Sequence, residues 1–265
     1  KKAIVNVERN RVFTFLELHL LTNKICNMLK NRFGLITGDV FGTLLENDNS
    51  SLFSVWMMKT DLIGLPFNYR DSLDEHLYQI DYVGMTLIFI EKEILDKENY
   101  YDELRKRNIT IISMDKPERE LDGVYYFWEL IEDASDAETN VEYDIDEHIV
   151  FYRFTGGTTG RGKCVMYSLR NVLAGMNNVF AQDEISLNEN TRHLHVTPLS
   201  HASASYLLPI FFKGGTSYTI NNPDLHKFCK TIEEYKITST LLVPTLLYLI
   251  DDQGLESLYD LSSLE

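Results

Sequence analysis

The chain has no paired cysteines, little positive charge and no long apolar runs, and each lack removes a class of protein. Its three cysteines, Cys26, Cys164 and Cys229, are widely spaced and form no C-x-x-C pair. Neither a zinc site nor a disulfide framework is indicated, and buried thiols of a cytoplasmic protein are the expectation. No stretch approaches the ~18 consecutive apolar residues of a membrane span. Lys and Arg number 25 against 40 Asp and Glu, a formal net charge of -15. That argues against non-specific binding to nucleic acid or to an anionic membrane, which needs a basic face. Any phosphate ligand would have to be held by a local positive site. Lys1-Lys2 leads into a strand-like run with no apolar signal core and no initiator methionine, so the chain is expected to begin inside a longer protein.

With 265 residues, 44% of them hydrophobic and 12% aromatic, the chain can bury a sizeable core as one large or two small domains. Short apolar runs alternate with helical patterns. Strands are expected at Ala3–Val7, Val12–Phe15, Asp39–Leu45, Leu65–Tyr69, Thr86–Ile90, Thr110–Met114, His148–Phe154, Val165–Tyr167, His193–Thr197, Thr216–Ile220 and Thr238–Val243. Helices are expected after the capping boxes Thr14-x-x-Glu17 and Ser72-x-x-Glu75, over Ser51–Ile63, Tyr100–Arg107, from Ser168 to about Ala181, over Ala202–Phe212, from Asp224 to about Tyr235 and from Pro244. The alternation predicts an α/β fold of two lobes, each a mostly parallel sheet with crossover helices. The acidic stretch 136–147 reads as a solvated linker between a first lobe, 1–135, and a second, 148–265.

The densest chemistry lies in Phe154-Thr155-Gly156-Gly157-Thr158-Thr159-Gly160-Arg161-Gly162-Lys163-Cys164. Glycine lets the backbone approach a ligand closely. Main-chain N–H groups, threonine hydroxyls and an ammonium are all donors, which suits the oxygens of a polyphosphate. From Gly157 the letters also fit a P-loop as far as Lys163, but Cys164 stands where that motif needs Ser or Thr. A strand-like Val165–Tyr167 follows where a P-loop would enter its helix at once.

The run from Thr155 resembles the phosphate loop of the adenylate-forming enzymes: acyl-CoA synthetases, luciferases and peptide-synthetase adenylation domains. Thr155, Gly157, Thr158, Thr159, Gly160, Lys163, Val165 and Asn171 match that pattern; Gly156, Gly162, Cys164 and Leu169 depart from it. Companion stretches follow in the family's order: Thr14–Leu29, Gly38-Asp39-Val40, Gly64–Asn68, Pro198-Leu199-Ser200-His201, Gly214-Gly215-Thr216, Val243-Pro244-Thr245 and Asp260–Leu264. The resemblance spans essentially the whole chain.

It implies part of the N-terminal domain of an acyl-CoA synthetase-like fold. The implied activity is an ATP-dependent acid–thiol ligase that adenylates a carboxylic acid, a fatty acid first and an aryl acid second, and passes the acyl group to coenzyme A. An adenylation domain loading a carrier protein and a non-catalytic relative are the alternatives. By resemblance, Thr155, Gly156, Gly157, Thr158, Thr159, Gly160 and Lys163 hold the phosphates of ATP, and Ser200, His201 and Thr245 border the acid. Arg161 would compensate for the hydroxyl missing at Gly156, and Gly162 in place of proline would loosen the loop. Magnesium (Mg2+) would be held mostly by residues beyond Glu265, where the family's remaining motifs and C-terminal lysine fall, so the chain alone is expected to be inactive, with no certain catalytic residue. His193 and His195 would face one side of a strand, a pair with no third metal ligand.

Overall fold

The computed structural model describes residues 1–97, 99–116, 120–142, 144–156, 161–182, 186–221 and 224–265. Among them the apolar runs become twelve short strands: β1 (Lys2–Asn6), β2 (Arg11–Thr14), β3 (Val40–Leu44), β4 (Ile63–Pro66), β5 (Leu87–Ile90), β6 (Thr110–Ser113), β7 (Val124–Tyr126), β8 (Ile149–Phe154), β9 (Cys164–Ser168), β10 (Arg192–His195), β11 (Thr216–Thr219) and β12 (Ser239–Thr240). β3 and β5 are buried along their whole length. That two-sided burial is what parallel strands covered by helices require. Seven strands form one sheet in the order β7-β6-β5-β3-β4-β8-β9, and five form another in the order β12-β10-β11-β1-β2. All neighbours are parallel except the hairpins β1–β2 and β8–β9.

By packing, the chain divides into two units assembled from interleaved segments. Unit 1 comprises Lys1–His19, Glu46–Ser54 and Ala174–Glu265, and holds the five-stranded sheet. Unit 2 comprises Leu20–Leu45 and Val55–Leu173, and holds the seven-stranded sheet. This differs from two lobes consecutive in sequence. β8 joins β4, and β1 pairs in parallel with β11, because a parallel neighbour is supplied by a crossover and never by the adjoining turn. The acidic stretch after Asp133 lies within unit 2. Asn23 Nδ2 donates to the Asp136 carbonyl (3.0 Å), and Asn27 Nδ2 donates to those of Ser135 and Ala137 (both 2.9 Å). Lys59 pairs with Glu138 at 3.1 Å.

The Thr14–Glu17 capping box forms reciprocally. Glu17 N–H donates to the Thr14 hydroxyl (3.2 Å), and Thr14 N–H donates to the Glu17 carboxylate (2.7 Å). It starts the helix Phe15–Asn27, as its letters specify. Ser72 caps Leu73–Val83 through the N–H of Glu75, and Gly84 ends that helix at φ 65°.

Some expectations change. The helix expected over Ser51–Ile63 is instead two 3-10 turns, Ser51–Phe53 and Trp56–Met58, and β4 has already begun at Ile63. Tertiary packing overrides the apolar run: the Trp56 ring sits edge-on to Phe41 at 4.9 Å and fills the space above Gly64. The buried strand expected over Thr238–Val243 shrinks to Ser239–Thr240, half-buried beside β10. β7 and the helix Phe127–Asp133 were not among the expected elements; Phe127, Leu130 and Ile131 are buried, with Phe127 edge-on to Phe89 at 6.1 Å.

A Cβ at Gly64 would lie 2.5 Å from Trp56 Cζ2, an indole atom that cannot swing aside as a flexible chain end could. Gly64→Ala is therefore expected to lower the urea-unfolding midpoint, at a cost of about 1–3 kcal/mol. Trp56→Leu in the same background should restore part of the loss. An unchanged midpoint would show that the ring is not held there.

Candidate functional site

β8 and β9 form an antiparallel pair with Phe154 opposite Cys164, so the glycine loop is the connection of a hairpin. On one face of β8, Tyr152 and Phe154 pack against the core of unit 2. On the other, the Arg153 guanidinium lies over the rings of Phe151 (4.9 Å) and Tyr167 (5.7 Å), and burial holds it below its ordinary range.

The base of the loop is closed by two bonds between the same residues. Thr155 N–H donates to the Lys163 carbonyl (3.0 Å), and Lys163 N–H donates to the Thr155 hydroxyl oxygen (3.1 Å). Thr155 thus uses its hydroxyl as an acceptor and keeps its O–H hydrogen for another partner. The Lys163 side chain is exposed and has no hydrogen-bond or ion-pair partner among the described residues. Gly156 is exposed, and a Cβ there would meet open space, so the missing serine hydroxyl is not dictated by crowding. Gly157, Thr158, Thr159 and Gly160 lie outside the described residues.

Gly162 is buried, and a Cβ on it would overlap the carbonyl oxygen of Thr155. Here glycine permits a close backbone approach instead of loosening the loop. The Tyr78 hydroxyl donates to the Gly162 carbonyl (3.3 Å), and the Arg161 guanidinium lies 4.6 Å from the Tyr78 ring centroid. Tyr82 and Phe154 complete the aromatic cluster, each within 6 Å of a neighbouring ring. Arg161 is thereby placed against an aromatic face, a cation–π contact. Tyr78 and Tyr82 went unread in the sequence; their one signal is the i,i+4 spacing on a helix that precedes the hairpin.

Past β9, Ser168 and Asn171 cap the helix Leu169–Phe180 reciprocally: Asn171 N–H donates to the Ser168 hydroxyl (3.3 Å), and Ser168 N–H donates to Asn171 Oδ1 (3.1 Å). The strand Cys164–Ser168 separates Lys163 from that helix, unlike a P-loop.

In unit 1 the Pro198–His201 turn closes with His201 N–H donating to the Pro198 carbonyl (3.0 Å). His201 is exposed. Ser200 is buried, and its hydroxyl has no hydrogen-bond partner among the described residues. Thr245 is exposed near the start of the helix Pro244–Asp252. Ser200 and His201 therefore share one turn, and Thr245 sits on a separate helix.

His193 and His195 do lie side by side on β10, with ring centroids 4.6 Å apart, and both are buried. His195 bonds Ser203 Oγ (3.0 Å) and Ser217 Oγ (3.2 Å); His193 bonds Ser239 Oγ (2.9 Å) and stacks on Tyr206. Burial pushes His193 down to about 3 and His195 well below its ordinary value. No three of His, Cys, Asp and Glu gather as a metal cluster among the described residues. Burial likewise pushes the Cys26 thiol up to about 12.

The histidines set a pH dependence. Their folded pKa values are depressed, so below about pH 6.5 the unfolded chain binds protons that the folded chain refuses. Stability therefore falls as pH drops below about 6.5, for His193 until about 3, with a limiting slope of about 1.4 kcal/mol per pH unit for each proton refused. His193→Gln should show a shallower loss of unfolding free energy between about pH 6.5 and 4.5 than the unsubstituted chain. Identical slopes, measured by urea unfolding, would mean that His193 is protonated in the fold.

The AMP-binding enzyme family matches residues 1–265. The chain is 36% identical over 119 residues to the medium/long-chain-fatty-acid–CoA ligase FadD8 of Mycobacterium tuberculosis, an alignment covering 45% of this chain and 20% of that protein. It is 24% identical over 276 residues to 4-coumarate–CoA ligase 2 of Petroselinum crispum, covering 100% of this chain and 48% of that one. The crystal structure of the anthranilate CoA ligase AuaEII in complex with anthranoyl-AMP superposes with a TM-score of 0.89 at 18% identity, over 100% of this chain and 51% of that one. At that identity the likeness is one of fold. The chain spans about half the length of the relatives that it matches end to end. With the glycine-loop hairpin and the companion motifs all inside the matched region, this chain belongs to the AMP-binding enzyme family, the adenylate-forming enzymes.

Proposed function

We propose that the chain is part of an ATP-dependent ligase that activates a carboxylic acid as its acyl-adenylate and passes the acyl group to the thiol of coenzyme A. The observation that carries this reading is the loop base. Thr155 and Lys163 are locked together by two hydrogen bonds, while the Lys163 ammonium stays exposed and unpaired among the described residues. In a chain of net charge -15, a cation at a glycine-rich turn is a local site for an anion. The donors fit a polyphosphate: an ammonium, a hydroxyl hydrogen on Thr155, and an open backbone at Gly156.

In the proposed reaction a carboxylate oxygen attacks the α-phosphorus of ATP, the bond to the β-phosphate oxygen breaks, and pyrophosphate leaves with the electron pair. Lys163 and the Thr155 hydroxyl stabilise the charge that gathers on the leaving pyrophosphate, as donors already in position. Ser200, His201 and Thr245 are proposed to border the acid. Among the described residues no three of His, Cys, Asp and Glu gather as a site for magnesium. The acid proposed first is a fatty acid and second an aryl acid; the names of the relatives include both kinds. Three free thiols suit a reducing compartment, and the cytoplasm is proposed. Among the described residues no helix is long and apolar enough to cross a membrane.

The test is acid-dependent exchange of labelled pyrophosphate into ATP by the complete protein that carries this sequence. Lys163→Ala is expected to lower the exchange rate by about 10²–10³-fold with the fold intact. Exchange at the unsubstituted rate would remove Lys163 from the phosphate site. No exchange with any acid by the unsubstituted protein would favour a non-catalytic relative.

A further inference from the structure

Asn47, Asp48 and Asn49 open a short helix, Asn47–Ser50, and all three are buried, with exposures of 2%, 0% and 0%. Their letters read as a surface turn. Amides and a carboxylate withdrawn from water are stable only when hydrogen-bonded, so their partners reveal what the segment holds. Asp48 accepts from the Thr219 hydroxyl (2.6 Å) and from Arg9 N–H (3.2 Å). Asn49 Oδ1 accepts from Arg11 Nη2 (2.6 Å). These two side chains bind the segment to the β1–β2 hairpin and to β11.

Asn47 does something else, because the hydrogen bonds of its side chain run to backbone alone. Nδ2 donates to the carbonyls of Thr197 (3.2 Å) and Ile220 (3.0 Å), and Oδ1 accepts from Leu199 N–H (2.9 Å). Thr197 and Leu199 flank Pro198, which has no N–H with which to anchor the turn. One planar amide thus clasps both sides of the turn that carries Ser200 and His201 and ties it to the residue after β11. Only Asn or Gln has two donors and an acceptor in one flat group, and Gln would overshoot by a methylene. The clasped turn presents a buried hydroxyl, Ser200 Oγ, with no partner among the described residues.

We propose that Asn47 is a positioning residue: through the main chain on both sides of Pro198 it sets the turn that aims Ser200 and His201 at the acid. The assignment to the acid rests on the ligase reading above; the clasp itself does not. Asn47→Asp would keep an acceptor for Leu199 N–H but set lone pairs against the Thr197 and Ile220 carbonyls. Asn47→Ala would remove all three bonds.

The experiment uses the complete protein with two readouts. The first is the amide resonance of Leu199 in protein labelled with ¹⁵N-leucine, read against Leu104 in the core of unit 2. In Asn47→Ala and Asn47→Asp the Leu199 resonance is expected to shift while that of Leu104 stays. The second is steady-state turnover: KM for the acid is expected to rise by about tenfold or more, with KM for ATP held within about twofold. A general loss of structure would instead lower kcat and move both KM values. If Asn47→Ala does not fold, Asn47→Ser, which keeps one donor and one acceptor, is read in the same way. An unmoved Leu199 resonance would overturn the clasp. A shifted resonance with KM for ATP raised in place of that for the acid would overturn the aim at the acid. Absence of acid-dependent turnover in the unsubstituted protein would sink the ligase reading, and the Leu199 resonance would still decide the clasp by itself.

Discussion

β8 enters the seven-stranded sheet as a parallel neighbour of β4, and the glycine loop has its place because of that pairing. A parallel neighbour needs a long crossover, so helices and strands of unit 2 lie in the chain between Gly64 and its partner Phe151. β9 then returns antiparallel beside β8 at the sheet edge, with Phe154 opposite Cys164 at the two ends of the glycine loop. Gly64 admits the Trp56 ring beside that contact, and this same demand breaks the expected helix into two 3-10 turns.

The loop ends are anchored by the paired bonds of Thr155 and Lys163 and, through one side chain, by the Tyr78 hydroxyl on Gly162 and the Tyr78 ring under Arg161. Each acts on the base and leaves the Lys163 ammonium to solvent. The interior of unit 1 is held differently. Asn6, Asn47, Asp48, His193 and His195 are buried polar groups whose hydrogen bonds tie turns and strands together. Such networks are costly when incomplete and specify one geometry when satisfied. Burial raises the pKa of Asp48 and lowers those of the two histidines, in each case by disfavouring the charged form.

Much of this was legible in the chain. The Thr14–Glu17 box and the Ser72 cap form with the partners their spacing predicts, because capping involves residues three apart and little else. The alternation of short apolar runs with helical patterns announced parallel sheets. The strand between Lys163 and the next helix was visible as Val165–Tyr167 and separated this loop from a P-loop. Illegible were features that depend on a distant partner. Tyr78 and Gly162 lie far apart in the chain, so neither predicts the other. Asn47 looked like turn material because its carbonyl partners carry no side-chain signature.

The sequence by itself determined the class of fold, the capped starts of two helices and the order of the motifs. These rest on local periodicity and on capping geometry that neighbouring letters supply. Only the tertiary structure decided which strands became neighbours, how the two units interleave, why position 162 must be glycine, and which side chains hold the loops. Those outcomes follow from burial and steric exclusion between segments remote in the chain, where composition and spacing hold no record of the contact.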